Sequence, residues 1–378
     1  MTAALQADAI VVGGGIVGGA AALYLHLRKR GLQVILFERD QVGMRASGVN
    51  FGGVRQQGRD LREIPLSHLA RRIWADLPEH VGIDGERLFS GHLRLARSEA
   101  DMAVLERYRA DAGALGLPLE LMGRNALVAR FPWAGPRVVG GSLCASDGHA
   151  NPRLVGPAFA LAARAAGARV EEQTEIRTVD ASGSGFRVTL ADGRGASAGI
   201  LVNAAGAWAG QLAAQLGEPV AVAPMIPQVL VTEPAPYGIV PVLGVVGGDL
   251  YLRQIPRGNV IFGSADRPAG ADFLTSRPTA AMNIDAARIA LSIIPGLKQL
   301  AIIRSWTGVD GYLGDGSPII GPSSRHAGLF HAFGFSGHGF QLGPAAGWVV
   351  AELATGAVPS APLTGLGIER FLGPAASP

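Results

Sequence analysis

The run Gly13-Gly14-Gly15-Ile16-Val17-Gly18 constrains this chain more than any other feature. It fits G-x-G-x-x-G, directly follows the apolar stretch Ala9 to Val12 and directly precedes a helical pattern over Ala20 to Arg30. In that setting the first glycine permits a tight turn, Gly15 lets backbone N–H groups approach a pyrophosphate, and Gly18 lets helix and strand pack closely. A second apolar strand, Val34 to Phe37, ends at Glu38, twenty residues beyond Gly18. A carboxylate there accepts hydrogen bonds from ribose hydroxyls and repels a 2′-phosphate. The pattern implies a βαβ opening that binds FAD or NAD in preference to NADP. It does not choose between the first two.

Composition agrees with a large folded nucleotide binder. The 378 residues are 48% hydrophobic and 17% charged, which argues against disorder and favours two intergrown domains. Glycine supplies 54 positions, roughly twice the usual 7% or so, in clusters between apolar runs. A net charge of +3 with scattered Lys and Arg gives no support for nucleic-acid binding. A single cysteine, Cys144, excludes a disulfide framework and a cysteine-rich metal cluster, and the eight histidines lack ligand spacing, so no metal site is expected. The opening residues lack the basic segment of a secretory signal, and no apolar run reaches the roughly 18 residues of a membrane span. A cytoplasmic protein is expected, with peripheral membrane contact as the one open membrane role.

Further along, a helix is expected over Pro152 to Ala166, with strands near Val170, over Phe186 to Leu190 and over Gly199 to Ala204, all rejoining the first sheet. Gly91 to Ala96 and Gly248 to Gly263 alternate as mixed β. Gly328 to Gly356 reads as strand, glycine loop and long helix.

Four ordered motifs carry a family resemblance. After the second strand comes Arg45-Ala46-Ser47-Gly48-Val49-Asn50-Phe51-Gly52-Gly53-Val54-Arg55, a small-residue loop where an NAD enzyme would continue into helix. Ala204-Ala205-Gly206-Ala207-Trp208, Asp315-Gly316-Ser317-Pro318-Ile319-Ile320-Gly321-Pro322 and Gly334-Phe335-Ser336-Gly337-His338-Gly339-Phe340 follow in order. Together they resemble the D-amino acid oxidase and sarcosine oxidase superfamily. The Asn50 loop and Tyr251-Leu252-Arg253-Gln254-Ile255-Pro256 are most similar to one branch of it, that of sarcosine oxidase β, D-hydroxyproline dehydrogenase and opine oxidase.

The resemblance implies a mixed α/β fold: a Rossmann-like FAD-binding domain from residues 1–75, 146–215 and 305–378, intergrown with a mixed β-sheet substrate domain from 76–145 and 216–304. It implies FAD contacts at Gly13, Gly15, Ile16, Val17, Gly18, Glu38, Arg39, Arg45, Ala46, Ser47, Asn50, Gly52, Gly53 and Ile176. Further contacts are implied at Ala204, Ala205, Gly206, Trp208, Gly337, His338, Gly339, Phe340 and Gln341. Some relatives attach flavin through a cysteine before the Asp315 motif, but Ser305 to Asp310 contains none, so non-covalent FAD is expected.

Arg55, Tyr251, Arg253 and His338 are the catalytic candidates. Arg55 matches a carboxylate-binding arginine of sarcosine oxidases, and its planar fork suits bidentate capture. Strand alternation puts Tyr251 and Arg253 on one face. His338, set among glycines and phenylalanines, reads as a flavin contact more than a proton carrier. In two places the chain departs from relatives: Asp310 stands where glycine oxidase-like sequences carry an arginine, and Gln341 where monomeric sarcosine oxidases carry a lysine.

The expected reaction is oxidation of a small amine or amino acid to an imine by hydride transfer to flavin, with an electron-accepting partner subunit or a homo-oligomer as the assembly. A 2-hydroxy acid dehydrogenase and a flavin electron-transfer subunit are the competing readings.

Overall fold

The fold comes from a computed structural model that describes residues 5–29, 31–183, 185–264, 267–268 and 276–372. Arg30, the expected end of the first helix, and residues 1–4 of the opening segment lie outside that set. Ala9–Val12 sits inside a six-stranded sheet whose order is Ile319–Pro322, Leu329–Phe333, Ile200–Asn203, Ala9–Val12, Val34–Phe37, Arg169–Glu171. All neighbours are parallel except the first pair. Ala9–Val12 and Val34–Phe37 are apolar and buried at every position because both faces of the sheet are covered.

On one face lie the helices Ile16–Arg28, Pro152–Ala166 and Gly339–Ala354. They approach closely because small residues line their contacts: a Cβ on Gly19 would meet Ala160, and one on Gly347 would meet Ala20 and Ala21. The first helix starts at Ile16, four residues before its expected start, since the glycine turn leads straight into it.

The other face corrects one expectation. Gly185–Leu190 does not rejoin the six-stranded sheet. It is the middle of an antiparallel meander with Ile176–Ser182 and Gly195–Ala198, and Leu5–Gln6 adds in parallel at its edge. Its alternating burial explains this: one face packs Val188 and Leu190 on Ile10, Ile35 and Leu201, and the other meets solvent.

A second sheet has eight strands in the order Ile302–Thr307, Gln228–Pro234, Asn259–Ser264, Leu250–Gln254, Val242–Val245, His92–Ala96, Gly140–Cys144, Glu120–Gly123. The pairing is antiparallel except between Val242–Val245 and His92–Ala96. Ala280–Ile293 supplies Ala286, Ala290 and Ile293 to its core. The strand Ile302–Thr307 runs through the expected boundary at 304–305, because its ladder with Gln228–Pro234 continues from Thr232↔Ile302 to Gln228↔Thr307.

One buried polar cluster ties the C-terminal loops to the first sheet. Glu218 accepts hydrogen bonds from Ser324 N (2.7 Å), Ser324 Oγ (2.8 Å), Ser323 Oγ (2.7 Å) and His331 Nε2 (2.9 Å). Burial alone would raise its pKa, but these donors prevail and hold the carboxyl down at about 2. The stabilisation is therefore complete above the ordinary carboxyl range and is lost as pH falls from about 4.5 toward 2. Glu218→Ala is expected to cost about 3 kcal/mol at neutral pH by leaving buried donors unanswered. Urea melts at pH 7 and pH 3 check this: the gap between wild type and variant should shrink at the lower pH.

Candidate active site

A cavity of about 600 Å³ opens at the ends of the first sheet's strands and reaches the face of the second sheet. Its first wall is the glycine turn. Gly13 has φ +102°, and a Cβ there would strike the Ala204 carbonyl oxygen, so only glycine fits. Gly15, Ile16 and Val17 line the cavity, where the helix's first N–H groups offer an anion site. Ser47 Oγ accepts one of these, Ile16 N, at 2.9 Å. Gly18 does not line the cavity. It lets the helix pass over the Gly13 carbonyl oxygen, as the motif requires.

Glu38 ends its strand at the next wall. Its carboxylate accepts Gly14 N at 2.7 Å and Asp40 N at 2.9 Å, which aims it into the cavity. Beside it, the Arg39 guanidinium lies 3.6 Å from the centre of the Trp208 ring, and its buried Nη2 has no partner. Arg45 binds Asp40 and reaches the same indole from 5.9 Å. Ile176, Ala204, Ala205 and Gly206 complete this end.

The loop after Glu38 folds into the short helix Ala46–Val49. Asn50 spends its side chain on the loop itself, donating to Ala46 O and Ser47 O and accepting from Gly52 N. Ala46, Ser47, Asn50, Gly52 and Gly53 all line the cavity, with Phe51 facing Tyr251 at a ring distance of 4.9 Å. Tyr251 lines the cavity and its hydroxyl donates to Gln228 O at 2.9 Å.

Arg253 takes a different place from that expected. It is buried behind the cavity wall, donating to His149 Nδ1 at 2.8 Å and Ala150 O at 2.9 Å, with its guanidinium against Phe51 and Gly52. It braces the loop. Gln341 also lies outside the cavity, because it falls on the inner face of its helix and donates to Ser67 O.

The third wall is Gly337, His338, Gly339 and Phe340, where the buried helix Gly339–Ala354 begins with no side-chain cap and no acidic residue in its first turn. Its positive end faces the cavity. Asp310 Oδ2 accepts Gly337 N at 3.0 Å and so shapes this turn. His338 Nδ1 lies 2.8 Å from Glu63 Oε2. Burial and then Arg59 push the imidazole down to about 4, so it is neutral near pH 7. Glu63 would be raised by burial but is held below the usual carboxylate range by His338 and Arg59. A carboxylate only accepts, so the proton sits on Nδ1 and Nε2 is left as an acceptor.

Arg55 lines the cavity and donates to Gln57 O at 2.6 Å. Beside it stand groups that no motif announced: Arg59, His92, Arg94, Glu63 and Asp147. Asp147 accepts Gln56 N and Gln57 N, and burial pushes it up to about 6. The spacing of Arg59, four residues after Arg55, was the one available signal. Glu63 follows four residues further on, and His92, Arg94 and Asp147 come from distant strands and loops.

The walls suit a flavin dinucleotide. The cradle that side chains would fill at Gly13 and Gly15, the aimed Glu38 carboxylate and the orphaned Arg39 Nη2 fit its nucleotide half, and the uncapped helix suits an electron-rich ring. Cys144 is buried away from this wall, in keeping with non-covalent binding. Among the described residues no group of His, Cys, Asp and Glu could hold a metal ion, and no helix is long and apolar enough to cross a membrane.

Comparison with known proteins agrees with this geometry. Residues 8–353 match the model of the DAO family, FAD dependent oxidoreductase. Glycine oxidase of Bacillus licheniformis is 29% identical over 356 residues, covering 92% of this chain and 93% of that protein. An opine oxidase subunit of Rhizobium meliloti is 29% identical over 339 residues, covering 86% and 87%. The crystal structure of L-proline dehydrogenase from P. horikoshii superposes with a TM-score of 0.89 at 28% identity, covering 98% of each chain. With its glycine turn, cavity-lining glutamate and uncapped C-terminal helix around one cavity, the chain belongs to the DAO family of FAD-dependent oxidoreductases.

Proposed function

We propose that this enzyme oxidises a small amino acid or secondary amine, with the substrate carboxylate held by Arg55 and the amine turned toward the flavin. One observation carries the reading: a cavity-lining guanidinium without an ion pair among the described residues shares its cavity with the dinucleotide turn and the uncapped helix. Relatives whose names describe oxidation of glycine, opines and proline support it. Bound FAD supplies a two-electron acceptor at the substrate carbon.

The protein's part is to bind and orient. Arg55 fixes one end of the substrate by a charge-assisted fork. Phe51 and Tyr251 form an apolar wall that excludes water. Loss of a hydride from Cα to the two-electron acceptor, with the neutral amine's lone pair closing the C=N bond, gives an iminium. This either releases its N–H proton to water as the imine or is hydrolysed by water to a carbonyl compound and an amine. The neutral His338, with Nε2 as acceptor, is placed to receive a hydrogen bond from the amine.

The FAD-binding unit in this reading comprises residues 1–75, 146–215 and the C-terminal segment after Thr307, and the eight-stranded sheet covers the substrate. Likeness to an opine oxidase subunit supports a multi-subunit assembly; in this reading a partner receives the electrons and the assembly works in the cytoplasm. Steady-state assays with a dye acceptor and with oxygen test the reading. Turnover of amines with dye well above that with oxygen is expected, and turnover of 2-hydroxy acids alone would overturn it.

A further inference from the structure

Next to Arg55 the cavity holds a second guanidinium whose charge nothing in contact answers. Arg59 lines the cavity yet is only 4% exposed. Its Nε donates to Arg55 O at 3.2 Å, and its buried Nη1 has no partner. Among the described residues neither arginine has a carboxylate within 4 Å. Arg94 lies behind them against the Tyr108 ring. A buried guanidinium left so costs several kcal/mol unless something pairs with it, and the loop holding both arginines is rigidly built. Tyr108 Oη accepts Gly58 N and Arg59 N, each at 3.0 Å.

Nearby acids are committed elsewhere. Asp147 accepts the two backbone N–H groups of Gln56 and Gln57, and Glu63 holds His338. Even with both ionised, three arginines face two carboxylates. His92 adds a neutral donor: its Nδ1 lies 3.1 Å from Gln57 Nε2, an amide nitrogen that can only donate, so the ring proton sits on Nε2 of the histidine. One substrate carboxylate answers Arg55 and leaves Arg59, which lines the same cavity, without a counter-charge.

We propose that Arg59, beside Arg55 and His92, is a second carboxylate subsite, and that the preferred substrate is a secondary amine bearing a carboxylate on each side of nitrogen. The inference rests on the amine-oxidising reading above. It makes Arg59 a specificity-determining residue, since a substrate lacking the second acid leaves a buried donor unpaired.

The test uses the holoenzyme and two matched pairs. Iminodiacetate and sarcosine differ by one carboxylate at the same amine, and glutarate and butyrate are their non-oxidisable counterparts with CH2 in place of NH. kcat/KM is expected to favour iminodiacetate over sarcosine by about a hundredfold. Glutarate should likewise bind about a hundredfold more tightly than butyrate, read from perturbation of the flavin spectrum. Arg59→Gln should collapse both ratios below about ten, and Arg59→Lys should keep part of them.

Wild-type ratios near one would overturn the subsite even if neither variant folded, as would ratios unmoved in a folded Arg59→Gln. Tight glutarate binding without flavin reduction by any amine would uphold the subsite and sink the amine reading. Amine oxidation with glutarate no better than butyrate would do the reverse.

Discussion

Gly15→Val is expected to give a folded, colourless protein. A Cβ at this position would already stand 2.9 Å from Ser47 Oγ, the atom that accepts Ile16 N. Two further methyl groups would fill the space through which a pyrophosphate approaches the helix's first N–H groups. Gly15 lies outside the left-handed region of backbone space, so valine brings no backbone strain at this site. The effect should fall on cofactor retention, with the flavin-to-protein ratio dropping at least about tenfold. Absorbance at 450 nm against total protein measures this, with far-UV circular dichroism as the check on folding. A fully flavinylated variant would refute the cofactor geometry.

Arg55→Ala should do the opposite: keep the yellow colour and lose the substrate. The Arg55 guanidinium makes one described hydrogen bond, to Gln57 O, and belongs to the arginine cluster rather than to the glycine turn. Truncating one partner of a buried charge pair costs roughly 2–5 kcal/mol, so kcat/KM for carboxylated amines should fall at least about a hundredfold. An analogue without the carboxylate should lose far less. Loss of FAD from Arg55→Ala would assign this residue to the cofactor.

What could be read from the sequence followed from local physics. The strand Ala9–Val12, the glycine turn and Glu38 were legible because a period, a turn chemistry and a spacing all report on neighbours in the chain. Pro152–Ala166 was legible from its proline start and apolar face. Gly185–Leu190 belongs to a different sheet from the one its position in the chain suggests, since alternation marks a strand with one covered face and says nothing about which sheet receives it.

The same limit applies to the site. Tyr251 and Arg253 share a strand face and both reach Phe51, yet only Tyr251 lines the cavity, because Arg253 is drawn to His149 and Ala150 on another strand and its loop. The resemblance implies a flavin contact at Gln341, but helical geometry turns this side chain inward to Ser67. Arg59 and Glu63 follow Arg55 closely in the chain, but His92 and Asp147 converge on them from distant segments. Long-range pairing brings them together, and no short motif encodes that.

The most direct test of the central claim is anaerobic flavin absorbance of the purified enzyme mixed with secondary and primary amino acids and, separately, with 2-hydroxy acids. Bleaching at 450 nm by carboxylated amines, and none by hydroxy acids, is the predicted result. A flavin that dithionite reduces but no amine bleaches would contradict it.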